Sequence, residues 1–236
     1  MCTVSFFYSQ GKVVITSNRD EKTIRELAIP PQHYLLQQKK LFFPKDAKAG
    51  GTWFVVDAHS NVGVLLNGAQ QQHESLGNYR KSRGLIVLDI MIGISPLAQW
   101  EVIELNAIEP FTFVLYEKQQ LFQLQWDGIQ KSTTELDPTQ PHIWSSATLY
   151  SNEIRDLRKQ WFANYLSTQE AFEPEDLFHF HRFTEPDNNH HGLVINREEN
   201  YKTVSITQVV LDKNRVQMEY ADLITDTVNH HNFISI

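Results

Sequence analysis

The first 21 residues, MCTVSFFYSQGKVVITSNRDE (Met1–Glu21), decide how the fold begins. Apolar and small residues alternate on either side of Gln10-Gly11, which predicts a hairpin: a strand over 3–8, a turn at Gln10-Gly11 and a second strand over 12–16. A turn centred there pairs residues whose numbers sum to 21, so Cys2 falls opposite Arg19, beside Asn18 and Asp20. Local pairing thus gathers a nucleophile, a guanidinium and a carboxylate with little loop entropy to overcome. The arginine favours thiolate over thiol, and the Asp20 carboxylate is suited to orient either the arginine or a terminal amine.

Cys2 is the only cysteine of the chain. Removal of Met1 ahead of this small residue leaves a thiol and a free α-amine on one residue. The amine has an unperturbed pKa of about 7.7–8.0, near a free thiol's roughly 8.5, so it can take the thiol proton near neutral pH. Nucleophile and base then share a residue. A blander reading stands beside this one: a lone cysteine is most often a small buried hydrophobe, and NRDE after a strand reads as a turn and a solvated helix start.

At 236 residues, 41% hydrophobic and 11% aromatic, the chain is long enough to bury a core as a single domain over 1–236, with two small domains as the alternative. The formal charge is -7, with 21 basic and 28 acidic residues and no basic run longer than a pair, which argues against a nucleic-acid partner. The opening lacks a signal-peptide pattern and no apolar run reaches membrane-spanning length, so the expected location is cytoplasmic, without membrane insertion. One cysteine permits no internal disulfide, which fits a reducing compartment. Self-association is left open.

Further hairpins are expected at 52–56 with 62–66, around turn formers Asp57–Asn61; at 111–126, turning at Glu117–Gln120; and at 201–220, turning at Asp212–Asn214. Two helices flank Pro96, although the first, GLIVLDIMIGIS, also has the composition of a strand. Asn152 reads as a helix cap, followed by Ile154, Leu157, Trp161 and Tyr165 at helical spacing. Segment 69–84 reads as a polar loop, as does 185–192. Hairpins with few helices and no strand–helix–strand alternation predict an α+β protein of mainly antiparallel sheet. The strands FVV, GVLL, VVI and FTFVL are apolar on both faces, which favours sheet packed on sheet beneath helices.

MCT at the start, NRDE (Asn18–Glu21), GGTWFVV (Gly50–Val56) and a hairpin ending in LLNG (Leu65–Gly68) together resemble the NRDE family, also called the transport and Golgi organisation 2 family. That family is related to N-terminal-nucleophile hydrolases such as bile-salt hydrolases and penicillin V acylases. Less specific likenesses follow at His142–Phe162 and over 201–220. The resemblance implies a four-layer αββα sandwich, with Cys2 as nucleophile, its freed amine as base, and Arg19 with Asp20 holding and polarising them. It also implies that Asn67 helps bind the oxyanion, where a donated N–H is worth about 10²–10³ in rate. The bland reading of Asn67 is a turn residue before Gly68. Asn18 and Ser146 are implied to contact substrate. Ser146 stands where relatives have an asparagine, and Val204 where many have an arginine, so the substrate end of the site has diverged.

Two functions follow from this resemblance. The first is an amidohydrolase that cleaves a carbon–nitrogen amide bond of a small molecule through an acyl-thioester on Cys2, with no cofactor. The second is a carrier or trafficking factor for a hydrophobic small molecule such as haem, with histidines assisting. The ten histidines include His179 with His181, His190-His191 and His230-His231, but no HExxH or cysteine cluster, so no metal site is expected. The five tryptophans fall within apolar patterns and are expected in the core, while Tyr150 and Phe172 are candidates to border a pocket.

Overall fold

The computed structural model describes residues 2–168, 172–197 and 200–236; Met1 and the side chain of Cys2 lie outside that description. The elements in chain order are β1 (Cys2–Ser9), β2 (Lys12–Lys22), β3 (Ile29–Leu36), β4 (Lys39–Lys45), β5 (Phe54–Asp57), β6 (Val62–Asn67), α1 (Arg83–Met91), α2 (Pro96–Val102), β7 (Phe111–Glu117), β8 (Gln120–Trp126) and β9 (Lys131–Leu136). They continue with β10 (His142–Ser145), α3 (Asn152–Ser167), α4 (Pro174–Phe183), β11 (Tyr201–Asp212), β12 (Arg215–Asp222) and β13 (Thr227–Ile234). Two compact units result: one from 2–25 with 139–234, the other from 26–138 with 235–236. The protein is α+β, with one antiparallel sheet in each unit. Among the described residues no helix is long and apolar enough to cross a membrane.

In the first unit the sheet runs β10-β1-β2-β11-β12-β13. Gln10 and Gly11 both take positive φ, 52° and 80°, the two-residue geometry that matches strand twist. The pairing is the expected one, with Ser9 opposite Lys12 and Cys2 opposite Arg19. β2 extends beyond the expected Thr16 as far as Lys22, and Val13–Asp20 are all buried. NRDE is therefore interior strand rather than a solvated turn. On the side of the sheet that carries Val14 and Val210, these residues pack with Phe162 of α3 and with Leu177 and Phe180 of α4. Helix α3 begins at Asn152 with Ser151 as its cap, one residue before the position expected.

A histidine ties α4 to the same face. His181 is fully buried, with Nε2 2.7 Å from Ser5 Oγ of β1 and Nδ1 bonded to Asn18 Oδ1 of β2. The Asn18 amide donates to the carbonyls of His181 at 3.0 Å and Leu193 at 2.7 Å. An amide oxygen only accepts, so Nδ1 carries the proton and Nε2 accepts from Ser5. Burial, helped by the Arg158 charge, pulls the imidazole pKa down to about 3.

In the second unit the order is β3-β4-β5-β6-β7-β8-β9. β3 was not expected: it contains Pro30 and Pro31, which its edge position tolerates. Its turn to β4 uses Gln37 and Gln38 at positive φ, 45° and 70°, without the usual glycine or asparagine. Asp57 closes the β5–β6 turn by accepting from the backbone of His59 and Asn61 at 2.8 and 2.9 Å. GLIVLDIM is helix, resolving the alternative of a strand, and α1 buries Ile86, Val87, Leu88, Ile90 and Met91. The second helix ends at Val102, short of the expected stretch. Trp53, Trp100 and Trp126 are buried as expected, whereas Trp144 and Trp161 are half-buried.

Gly51 meets the start of α1 closely: a Cβ there would stand 2.3 Å from the Gly84 carbonyl carbon. Gly51→Ala is expected to lower stability by about 1–3 kcal/mol or more, read as a lower urea midpoint with unchanged slope. An unchanged midpoint refutes this close approach. For His181, the unfolded chain takes a proton near pH 6.5 while the folded chain stays neutral to about pH 3. Between those values the unfolded state binds the extra proton, so stability falls with pH, by about 2 kcal/mol at pH 5. His181→Gln is expected to be less stable at pH 7 yet to lose that share of the pH dependence; equal pH dependence in both proteins contradicts it.

Candidate active site

β2 lies between β1 and β11, so Arg19 is flanked by Cys2 on one side and Ser205 on the other. Directly paired residues share a face, and successive residues alternate. Arg19 is therefore on the face of residue 2, while Asp20 is on the opposite face with Asn18. Arg19 is 4% exposed and its guanidinium stands 3.4 Å from Glu21. Nearby Tyr220 is pushed up to about 12 by burial, against which the Arg19 charge pulls. The Cys2 thiol and the expected removal of Met1 concern atoms outside the described residues.

Of the two partners the sequence left open for Asp20, Arg19 and a terminal amine, its carboxyl is not turned to Arg19. Its carboxyl is fully buried and accepts from the Tyr150 hydroxyl at 2.7 Å and from the Thr203 hydroxyl at 2.6 Å. Burial raises its pKa, while the Arg158 charge and the Thr203 and Tyr150 bonds pull it down. The cation that serves Asp20 is thus Arg158 of α3, not its sequence neighbour. The reason is strand geometry: adjacent residues cannot present side chains to one another across the sheet.

Arg158 is itself completely buried. It donates to the His191 carbonyl at 3.2 and 3.1 Å, to the Gly192 carbonyl at 2.5 Å and to Thr3 Oγ1. Its guanidinium lies 3.6 Å from the Tyr150 ring centre, and that of Arg197 lies 5.4 Å from it. Tyr150 is held well above its usual pKa by burial and by the Asp20 charge, so it remains a hydroxyl donor.

The other expected site residues divide. Asn18 is fully buried with its amide nitrogen and oxygen all engaged by His181 and Leu193, a geometry that positions strand and helix rather than a ligand. Ser146 is buried just beyond β10, with Oγ 3.0 Å from Thr148 Oγ1. Its carbonyl accepts from the Tyr150 N–H at 3.2 Å, forming the turn that delivers Tyr150. Asn67 ends β6 in the second unit, paired with Phe111 and half-buried. Val204 sits at the irregularity between Thr203 and Ser205 of β11. Phe172 belongs to the apolar cluster beneath α3 and α4.

Among the described residues no three histidine, cysteine or carboxylate side chains stand together as a metal-binding group. His181, a candidate helper for a haem-like ligand, has both ring nitrogens bound to protein.

The sequence reading missed Arg158 and Thr203, and gave Tyr150 only as a pocket-border candidate. Arg158 stands on a helix face that also carries Trp161, Phe162 and Tyr165, with Arg155 one turn before it. A basic residue on an otherwise apolar helical face is a signal of buried pairing, available in principle from the sequence.

The fold is shared with solved structures at low identity. An N-acylethanolamine-hydrolyzing acid amidase ortholog from Caenorhabditis elegans matches with a TM-score of 0.62 and 10% identity, over 88% of this chain and 92% of that one. A mutant conjugated bile acid hydrolase from Clostridium perfringens matches with a TM-score of 0.58 and 9% identity, over 99% of this chain and 92% of that one. A second variant of that hydrolase gives 0.56 and 9%, over 98% and 92%. The shared fold is of the N-terminal-nucleophile hydrolase type, which the resemblance to the NRDE family implied. No curated protein matches the chain by sequence. The family model for Transport and Golgi organisation 2 matches residues 1–222, and the chain belongs to that family.

Proposed function

We propose that the protein is an N-terminal-nucleophile amidohydrolase acting on a carbon–nitrogen amide bond of a small molecule. The observation that carries this reading is the β1–β2 register, which sets Cys2 directly across from Arg19, with Asp20 next along β2.

With Met1 removed, the Cys2 α-amine takes the thiol proton as sulfur attacks the amide carbonyl carbon. The tetrahedral intermediate collapses when the carbon–nitrogen bond breaks and the ammonium returns its proton to the leaving amine. Water, deprotonated by the same amine, then attacks the thioester, and the carboxylic acid and free thiol are released. Arg19 favours the thiolate, as a cation beside a thiol does. Asp20 holds the amine. Ser146 keeps the substrate contact that the family resemblance gives it, and Asn18 acts one step removed by fixing the strand.

The test begins with the intact mass of the purified chain, expected to lack Met1. Iodoacetamide should then alkylate Cys2 faster at neutral pH than it alkylates free cysteine. Hydrolysis of a panel of N-acyl p-nitroanilides should fall by at least about 10³-fold in Cys2→Ala. Retained Met1, or equal hydrolysis by Cys2→Ala and the parent, overturns the reading.

A further inference from the structure

Asp20 has an unusual set of partners for a buried carboxylate. Among the described residues no cation bonds it directly, because Arg158 gives its donors to the carbonyls of His191 and Gly192 and to Thr3. Each carboxyl oxygen instead takes one hydroxyl, Tyr150 at 2.7 Å on one and Thr203 at 2.6 Å on the other. A carboxylate oxygen has about two lone-pair sites, so each keeps capacity for one more donor. Tyr150 is fixed in turn by the Arg158 guanidinium against its ring and by the turn from Ser146.

The register shows which donor is within reach. β1 runs antiparallel to β2, so from the Cys2–Arg19 pair the amino-terminal direction of β1 leads toward Asp20. The backbone nitrogen of Cys2 is therefore on the Asp20 side of that pair. Among the described residues the charged and titratable groups that act on the carboxyl are Arg158 on α3 and Tyr150 ahead of it, with Arg197 on the Tyr150 ring. On β11 the neighbour is Thr203, which does not titrate.

We propose that Tyr150 is a positioning residue for the Cys2 α-amine, acting through Asp20: its hydroxyl, backed by Arg158, keeps the carboxylate charged and turned to hold that amine. This rests on the N-terminal-nucleophile reading. It gives the buried tyrosine a role in setting the strength of the base, since a carboxylate partner favours the ammonium form and makes the amine more basic.

The experiment uses the full chain after its mass has confirmed loss of Met1, with the thiol capped as a methyl disulfide so that one group titrates. The rate of α-amine acetylation by acetic anhydride is followed against pH by the mass of the amino-terminal peptide. In the parent protein the inflection is expected above the roughly 7.7–8.0 of a free α-amine. Tyr150→Phe should lower it by at least about half a pH unit, and Thr203→Val should move it the same way. In an Asp20→Asn background, Tyr150→Phe should move it no further, because a residue acting through Asp20 has nothing left to act on.

An inflection unmoved by Tyr150→Phe overturns the proposal, as does an equal shift with and without Asp20. Should Asp20→Asn fail to fold, the Thr203→Val arm decides: an absent or opposite shift is fatal. Retained Met1 overturns the underlying reading together with the inference. Unmoved profiles in protein that has lost Met1 overturn the inference alone.

Discussion

The two-residue turn at Gln10-Gly11 is the constraint on which the site depends. With both residues at positive φ, the turn fixes the β1–β2 register, and every pair from Ser9–Lys12 to Cys2–Arg19 follows from it. Side chains alternate with a period of two, so a slip by one residue would set Cys2 beside Asp20's face and send Arg19 to the other. Such a slip is opposed along the whole strand. β2 is buried on both faces, and its displacement would drive Val14 out of the α3–α4 cluster and Asn18 away from His181.

The same face of the sheet holds two polar clusters inside an apolar packing. Ser5, His181 and Asn18 form one; Asp20, Tyr150, Thr203, Arg158 and Thr3 form the other. Charges removed from water cost several kcal/mol each unless they are paired and hydrogen-bonded, and breaking such a set by removing one member costs about 3–5 kcal/mol. Each cluster joins a helix to the sheet: His181 links α4 to β1 and β2, and Arg158 links α3 to Thr3. The hydroxyls of Tyr150 and Thr203 then orient Asp20, with no ion pair to it among the described residues. One set of contacts both docks the helices and defines the carboxylate.

Much of this was legible from residue order, and the parts that were not share a cause. The first hairpin announced itself through Gln10-Gly11 and alternation, and GGTWFVV through LLNG did the same for β5 and β6. The β3–β4 hairpin escaped because Pro30 and Pro31 argue against a strand and Gln37-Gln38 is not a recognised turn pair. β2 was read short because SNRDE is polar, and polarity is a proxy for exposure that fails where buried groups satisfy one another. That Asp20 answers to Arg158 rather than Arg19 needs a contact 138 positions away in sequence, 158 against 20, which no local pattern carries.

Polarity along the central strands of the first sheet is graded, and on both faces it rises toward the same end. On the face of Arg19, the row Phe6–Ile15–Val209–Met218 gives way to Val4–Ser17–Thr207–Tyr220 and then to Cys2–Arg19–Ser205–Asp222. On the helix face, Phe7, Val14 and Val210 give way to Ser5, Thr16 and Gln208, then to Thr3 and Asn18 beside the one apolar member Ile206, then to Asp20 and Thr203. A buried sheet maximising stability would remain apolar throughout. Ser17 Oγ and Thr207 Oγ1 are buried with no hydrogen-bond partner among the described residues, a condition that costs about 1–3 kcal/mol for each group. Apolar burial is therefore concentrated at the turn end, where both faces are apolar, while the end that carries residue 2 is less stable than an apolar sequence would make it. Local rules of burial are broken where side chains are arranged for chemistry rather than for packing, and polarity at the end of the sheet that carries residue 2 is what the proposed function requires.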